Sequence, residues 1–245
     1  MTEHTVTVFS ASSRQGQAQV DALLGRGHYV RAITRNREIF ADRRYAALEV
    51  LPAGFSDPDS LVAACAQADV VFFQPPQFGS PELIRSYVAN VASAVRNLNV
   101  GLAVYNSTMW APDEPCGEPG YDAVLALENL FVGHGAPTVI FRPVLFMDNL
   151  QTLFAKPTLV GEGIYRYCHR PGLLANWISL ADVAQFMTDA IDRPDLIGER
   201  LVIGGPERLS IEQVLATLSP LIGKPIRHEF VEPRAFGAGL SESLG

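Results

Sequence analysis

The chain has 245 residues, of which 48% are hydrophobic and 18% charged, and its formal net charge is −7. This composition excludes a disordered or low-complexity chain, and the length suffices for a core that needs no disulfide or metal to fold. An acidic balance without a block of lysines and arginines also argues against a nucleic-acid partner.

The three cysteines, Cys65, Cys116 and Cys168, lie far apart and form neither a disulfide framework nor a zinc-ligand spacing. We therefore expect a reducing compartment. The chain runs into an apolar strand after four residues, which predicts no signal peptide. The sequence contains no run of about 20 apolar residues, so it predicts no membrane span. The sequence thus predicts a soluble, cytoplasmic protein with no membrane partner.

Short β-branched runs alternate with amphipathic segments along the first part of the chain. Strands are predicted at residues 5–9, 29–34, 48–51, 70–73, 101–105 and 138–141, with helices between them, the longest at 80–98 and 122–132. Strands separated by helices of this size form βαβ units. The predicted fold class is therefore α/β, with a doubly wound, Rossmann-like parallel sheet.

The alternation loosens after about Pro143. We expect residues 1–145 to form a dinucleotide-binding core and residues 146–245 a mixed substrate-binding or lid region of the same compact domain. Within that region Ser210 and Gln213 form a capping box that opens a helix ending at Gly223. The tail from Phe236 onward is expected to be frayed.

The loop after the first strand reads Ser10-Ala11-Ser12-Ser13-Arg14-Gln15-Gly16. Three glycines are expected in a dinucleotide-binding turn, where they allow the tight bend, the approach to the pyrophosphate and the packing of the helix. Only Gly16 is present, and Ser10 and Ser13 occupy the other two positions. A left-handed serine costs about 1 kcal/mol that glycine avoids.

Taken with later segments, the chain resembles the NmrA-like branch of the atypical short-chain dehydrogenase/reductase superfamily. That family carries Gly-Ala-Thr-Gly-Arg-Gln-Gly where this chain has Ser10 to Gly16. The other matching segments are Thr34-Arg35-Asn36, Arg142-Pro143, Phe146-Met147-Asp148-Asn149-Leu150 and the run from Trp177 to Ala184. The resemblance covers nearly the whole chain and implies a Rossmann fold with an NADP(H) site.

The resemblance implies that Arg35 pairs with the 2′-phosphate of NADP(H), with Arg14 nearby, because a guanidinium binds phosphate bidentately. The implied cofactor-binding residues are Ser10, Ser12, Ser13, Arg14, Gln15, Gly16, Arg35, Gln74 and Pro75. Two further positions depart from the family: Gly54-Phe55 stands where Gly-Asp is common, and Val124 stands near the family's lysine. The Tyr-x-x-x-Lys pair of ordinary short-chain dehydrogenases is also absent, since Leu125 follows Tyr121 by four residues.

Candidate catalytic residues follow the strand ends, where the ligand crevice of a parallel sheet lies. They are Ser107 or Thr108 as hydrogen-bond donors to a substrate oxygen, Tyr121 as a proton donor, and His169, because a histidine titrates near neutrality. The candidate substrate pocket is partly aromatic and comprises Gln77, Met109, Trp110, Phe146 and Trp177. The histidines show no metal-ligand spacing, so no metal is expected.

Three functions remain open. The first is an NADP(H)-dependent reductase of a small hydrophobic carbonyl, enone or quinone. The second is a redox-neutral isomerase, cyclase or lyase of an apolar metabolite that uses the same scaffold without the cofactor. The third is a non-catalytic NADP-sensing regulatory protein. The sequence leaves the oligomeric state open, a homodimer included.

Overall fold

The computed structural model describes residues 3–43, 45–77 and 79–244, the last five of them by backbone alone. Over these residues the strands are β1 (Thr5–Val8), β2 (Tyr29–Ile33), β3 (Leu48–Leu51), β4 (Val70–Phe73), β5 (Leu102–Asn106), β6 (Thr138–Pro143), β7 (Leu145–Phe146), β8 (Ile164–Tyr167), β9 (Ala175–Ile178), β10 (Arg200–Ile203), β11 (Arg208–Leu209) and β12 (Arg227–Phe230). The helices are α1 (Arg14–Gly25), α2 (Pro58–Cys65), α3 (Pro81–Asn97), α4 (Pro119–Gly133), α5 (Lys156–Glu162), α6 (Leu180–Asp189), α7 (Ile211–Ile222) and α8 (Pro233–Leu244). Short 3-10 turns occur at Arg37–Phe40, Met147–Gln151, Ala190–Asp192 and Pro194–Leu196.

Seven strands form one parallel sheet in the order β10-β6-β5-β4-β1-β2-β3. The chain winds from β1 outward through β2 and β3 on one side and from β4 through β6 on the other. The order therefore reverses between β1 and β4, which is where open parallel sheets bind ligands. The predicted α/β, doubly wound class is confirmed.

The helix starts follow from local hydrogen bonding. Ser80 precedes Pro81 and its side chain accepts a hydrogen bond from the Leu83 backbone N–H, and Asp57 caps α2 in the same way. The capping box of Ser210 and Gln213 forms at the start of α7 as predicted. These caps pair backbone donors that a helix end leaves without intrahelical partners.

The largest hydrophobic cluster lies against the central strands. Every residue of β4 and β5 is buried, as expected for strands covered on both faces. Phe73 stacks on Phe131 at 5.5 Å between ring centroids, and Tyr105 packs on the same ring at 5.1 Å. These contacts fix the central strands and with them the loops at their carboxyl ends.

The chain divides into two compact units. The first, Met1–Pro143 with Leu180–Ile203, contains the seven-stranded sheet, and the second comprises Val144–Ser179 and Gly204–Gly245. Two elements from the predicted C-terminal region 146–245, α6 and β10, lie in the first unit.

The second unit has two small sheets, β11-β9-β7 and β12-β8, and its own core around Tyr165, Trp177 and Leu215. The tail from Phe236 onward lies in α8, which covers Pro233–Leu244. Gly245 lies outside the described residues.

Candidate functional site

The loop between β1 and α1 makes the tight turn of a dinucleotide-binding fold although a serine stands first in it. Ser10 adopts a positive φ of 54°, and its carbonyl accepts a 2.9 Å hydrogen bond from the Ser13 N–H. The Ser10 hydroxyl donates to the Gln74 carbonyl at the end of β4, at 3.2 Å. This bond links the loop to the neighbouring strand and offsets part of the cost of the left-handed backbone.

Gly16 is required by the close packing of α1 on this loop. A Cβ atom at this position would lie 2.2 Å from the Ser10 carbonyl oxygen and 2.7 Å from the Ala11 Cα. No side chain fits at such distances. The chain keeps one of the three expected glycines, Gly16, and it is the one that the packing of the helix requires.

Of the two serines at glycine positions, only Ser10 has the strained backbone that was expected. Ser13 is extended, with φ −68°, and its hydroxyl caps α1 by accepting from the Gly16 N–H at 3.0 Å. Ser13 is a favourable N-cap rather than a strained substitute for glycine.

A cavity of about 530 Å³ lies beside this loop in the first unit. Its walls contain Ser10, Ser12 and Ser13 from the loop, Arg35 and Asn36 from the end of β2, and Gly54 and Phe55 from the segment after β3. Arg35 is the one charged residue among its lining residues in the described chain. The volume falls in the range of small-molecule sites, about 300–1,000 Å³. The structure thus brings the predicted phosphate ligand Arg35 to the serine loop.

Of the remaining predicted cofactor residues, all but Arg14 lie near the end of β4. Gln15, Gly16 and Gln74 line a second, much smaller cavity of about 20 Å³, and Pro75 is buried beside it. Arg14, at the first position of α1, is exposed and does not line the larger cavity.

Polar side chains form a hydrogen-bonded series across the carboxyl ends of the central strands. Asn106 Nδ2 donates to Gln15 Oε1, and Asn106 Oδ1 accepts from the Thr108 N–H, both at 2.8 Å. Gln77 Nε2 donates to the Thr108 hydroxyl at 2.8 Å. Asn106 was not among the predicted site residues, although its polar side chain at the end of an apolar strand was a usable signal.

Thr108 has a φ of 64°, which is a rare conformation for a β-branched residue. Such strain persists only where the surroundings fix it, and it occurs preferentially at functional sites. The hydrogen bonds from Gln77 and to Asn106 supply that fixation here.

Ser107, predicted as an alternative to Thr108, has a different environment. It is buried, and its hydroxyl donates to Glu128 Oε1 at 2.5 Å. Glu128, on α4, is fully buried and accepts further hydrogen bonds from Arg142 Nε and Nη2, the latter 2.6 Å from Oε2. Arg142 also pairs with Asp113 at 2.7 Å. The hydroxyl of Ser107 is therefore bonded within an internal ion-pair network.

Tyr121 and Trp110 contact each other rather than lying in separate places. Their rings meet edge to face at 5.3 Å, and both side chains are more than a third exposed. Met109, next to Trp110, is half-buried. Both residues lie in the first unit, and Trp110 is one residue beyond the half-buried Met109 and two beyond Thr108.

The other three predicted site residues lie in the second unit. His169 is buried, its ring lying 4.3 Å from that of Tyr167 and 5.2 Å from that of Trp177. Burial lowers the pKa of His169 to about 4, so it does not titrate near neutrality as the sequence suggested. Phe146 is half-buried in β7, and Trp177 is buried with its indole N–H donating to the Leu209 carbonyl at 3.0 Å.

The described residues contain neither a metal-ligand cluster nor a membrane-spanning helix. No cluster of three or more histidine, cysteine, aspartate or glutamate side chains is arranged to hold a metal ion there. Across the same residues no helix combines the length and apolar character that a membrane span needs.

Comparison with known proteins gives one family. The family model described as "NmrA-like family" matches residues 2–241. A curated relative, (4-alkanoyl-5-oxo-2,5-dihydrofuran-3-yl)methyl phosphate reductase of Streptomyces griseus, is 27% identical over 204 residues, which are 82% of this chain and 68% of the relative.

Solved structures share the fold at lower sequence identity. The triphenylmethane reductase of Citrobacter sp., complexed with NADP(H), has a TM-score of 0.80 at 18% identity, with 98% of this chain and 83% of that chain covered. The NADPH-dependent quinone oxidoreductase of Escherichia coli, complexed with NADPH, has a TM-score of 0.80 at 19% identity, with the same coverage.

Proposed function

Because the chain belongs to the NmrA-like family, we propose that it is an NADP(H)-dependent oxidoreductase that reduces a small hydrophobic carbonyl, enone or quinone. One observation carries the proposal: Arg35 and the serine loop at the start of α1 line the same cavity of about 530 Å³. A guanidinium at the end of the second strand is the feature that favours a 2′-phosphate over a bare ribose.

The residues present fit the cofactor. The N-terminus of α1 offers backbone N–H groups and the positive end of a helix dipole to a diphosphate, with Ser12 and Ser13 beside it. Ser10, the least favourable residue for this role, has its hydroxyl bonded to the Gln74 carbonyl. Arg35 would hold the 2′-phosphate, with Asn36 next to it in the cavity wall.

The relatives support the substrate class. Their names give as substrates an alkanoyl-dihydrofuran phosphate, a triphenylmethane and a quinone, and all three contain unsaturated rings. Two of these proteins have structures in complex with NADP(H) or NADPH. A substrate with a conjugated ring or carbonyl is proposed for this chain on that ground.

When bound, the reduced nicotinamide supplies two electrons and a hydrogen to the substrate carbon. The chain's own contribution is to hold the substrate oxygen. Thr108 accepts a hydrogen bond from Gln77 and so keeps its own O–H proton for an acceptor. Asn106 fixes the backbone of Thr108. A threonine hydroxyl does not ionise at neutral pH, so Thr108 orients and polarises the oxygen while solvent delivers the proton.

The test is a calorimetric titration of the purified protein with NADPH, NADP⁺, NADH and NAD⁺, followed by a screen of quinones, enones and aldehydes with NADPH. Micromolar binding with preference for the phosphorylated forms, and turnover of at least one conjugated substrate, is the expected result. Binding without turnover would favour the sensor alternative. No binding at millimolar cofactor would overturn the proposal and favour redox-neutral chemistry.

A further inference from the structure

The second unit contains a cavity of about 400 Å³, which we name the α5–α7 cavity. Its lining residues come from the 3-10 turn Met147–Gln151, α5, β9, β11 and α7. They are predominantly apolar, with Met147, Leu150, Leu159, Trp177, Leu218 and Ile222 among them. We propose that this cavity binds a small amphipathic carboxylate, with its hydrocarbon part among these side chains and its carboxylate at Lys156.

The size of the cavity argues for an occupant. The cavity is open to solvent, since Met147 and Val160 in its wall are 41% and 45% exposed. Its volume of about 400 Å³ nevertheless lies in the range of small-molecule sites, about 300–1,000 Å³. Several lining residues, including Leu159, Trp177 and Leu218, also belong to the hydrophobic core of this unit or pack against it. A concave, mostly apolar surface with a single charged group is typical of small-molecule sites.

The charge at the cavity gives the polarity of the occupant. Lys156 is the one charged residue among the described lining residues, and it is exposed. The chain has only two lysines against seventeen arginines. An ammonium group is a compact point charge on a long apolar stem, which suits a single carboxylate at the end of a hydrocarbon chain.

The inner wall is neutral. Trp177 is buried, and its indole N–H is already bonded to the Leu209 carbonyl. The ring behind it, His169, is uncharged near neutral pH because burial lowers its pKa to about 4. Neither side chain offers a buried charge to a ligand, so the wall favours hydrocarbon.

The inference does not rest on the proposed function. The α5–α7 cavity and the Arg35 cavity share no lining residue, and each lies in its own unit. A titration without nicotinamide cofactor therefore tests the carboxylate site alone.

The chain supplies its own reporter, because Trp110 and Trp177 are its only tryptophans. In the Trp110→Phe protein, emission from Trp177 is followed during titration with 10-bromodecanoate, whose bromine quenches indole at contact. Decanoate and decanol are then titrated as competitors. Saturable quenching in the micromolar range, displaced by decanoate at least tenfold more readily than by decanol, is expected.

Variants locate the site. Lys156→Met keeps roughly the length of the side chain without its charge. It should lower the affinity for decanoate about tenfold and change the affinity for decanol less than twofold. Val214→Phe fills the cavity and should abolish quenching, whereas Val132→Phe, at an exposed position on α4 in the first unit, should leave it unchanged. If Val214→Phe fails to fold by circular dichroism, Thr217→Phe, at an exposed lining position, replaces it.

Any of three results overturns the proposal. These are no saturable quenching up to millimolar ligand, quenching that survives both filling variants, and equal affinity for decanoate in the wild-type and Lys156→Met proteins. Sedimentation measures whether a second copy covers the cavity instead. Self-association that the filling variants disrupt, together with no decanoate binding, also overturns it.

Discussion

The carbonyl oxygen of Ser10 lies 2.2 Å from the point at which a Cβ atom on Gly16 would stand. Both partners in this approach are backbone, so neither side can give way by changing a rotamer. The left-handed turn at Ser10 and the absence of a side chain at Gly16 are therefore one structural requirement, expressed at two positions six residues apart.

Gly16→Ala should accordingly destabilise the protein by about 1–3 kcal/mol, the usual range for overpacking. The substitution should also weaken the binding of NADPH, because the N-terminus of α1 has to move. Urea denaturation and calorimetry measure the two effects. Gly25→Ala, on the same helix with nothing within 4 Å of the new Cβ, is the matched control and should lose no stability. Equal losses in both variants would contradict the close-packing argument.

Much of the fold was predictable because the buried strands of a doubly wound sheet appear in the sequence as continuous apolar runs. The run at residues 70–73 is β4 over the same residues, and the run at 138–141 is β6, which extends two residues further. In the second unit, β7 and β11 have two residues each, which is too short for any periodicity to show.

The site was less predictable because its decisive contacts are long-range. The sequence showed serines at two glycine positions but not that Ser10 alone takes the positive φ. Glu128 is buried on the face of α4 that carries Leu125 and Phe131, which marks it as unusual. Its partner Arg142 is on β6, and only the folded chain shows that Ser107 serves the pair.

Arg35→Ala tests the phosphate role. The loss of one charge-assisted contact should weaken the binding of NADPH by about 1–3 kcal/mol and leave the affinity for NADH unchanged. Arg37→Ala removes the same charge two residues away, from a side chain that bonds the Val50 carbonyl and does not line the cavity. It should change both affinities little. If Arg35→Ala weakens both nucleotides equally, Arg35 has no role in recognising the 2′-phosphate.

Glu128→Gln tests the buried network beneath the strand-end loop. The amide leaves the Arg142 guanidinium without its buried counter-charge, and Arg200 Nε, 3.2 Å from the same carboxylate, loses it as well. A loss of about 3–5 kcal/mol in the free energy of unfolding is expected. Ser107→Ala removes only a hydrogen bond to the carboxylate and should cost about 1.5–3 kcal/mol. A double-mutant cycle measures the coupling; strict additivity would show that Ser107 does not act through Glu128.

His169 predicts a pH dependence of stability. Burial lowers its pKa in the folded protein to about 4, against 6.5 for an unperturbed histidine. As the pH falls through 6.5 the unfolded chain takes up a proton that the folded protein does not accept until about pH 4. The contribution to stability is thus complete above pH 6.5 and is lost between 6.5 and 4, by at most about 3 kcal/mol.

The measurement is urea denaturation at several pH values between 7 and 4, on the wild-type protein and on His169→Phe. Phenylalanine keeps an aromatic ring beside Tyr167 and Trp177 and removes the titrating group. Other groups, including His28, whose pKa burial also lowers, are common to both proteins and cancel in the difference. The wild type should lose more stability than the variant as the pH falls. Parallel curves would mean that His169 is protonated in the folded state and that its environment is not apolar.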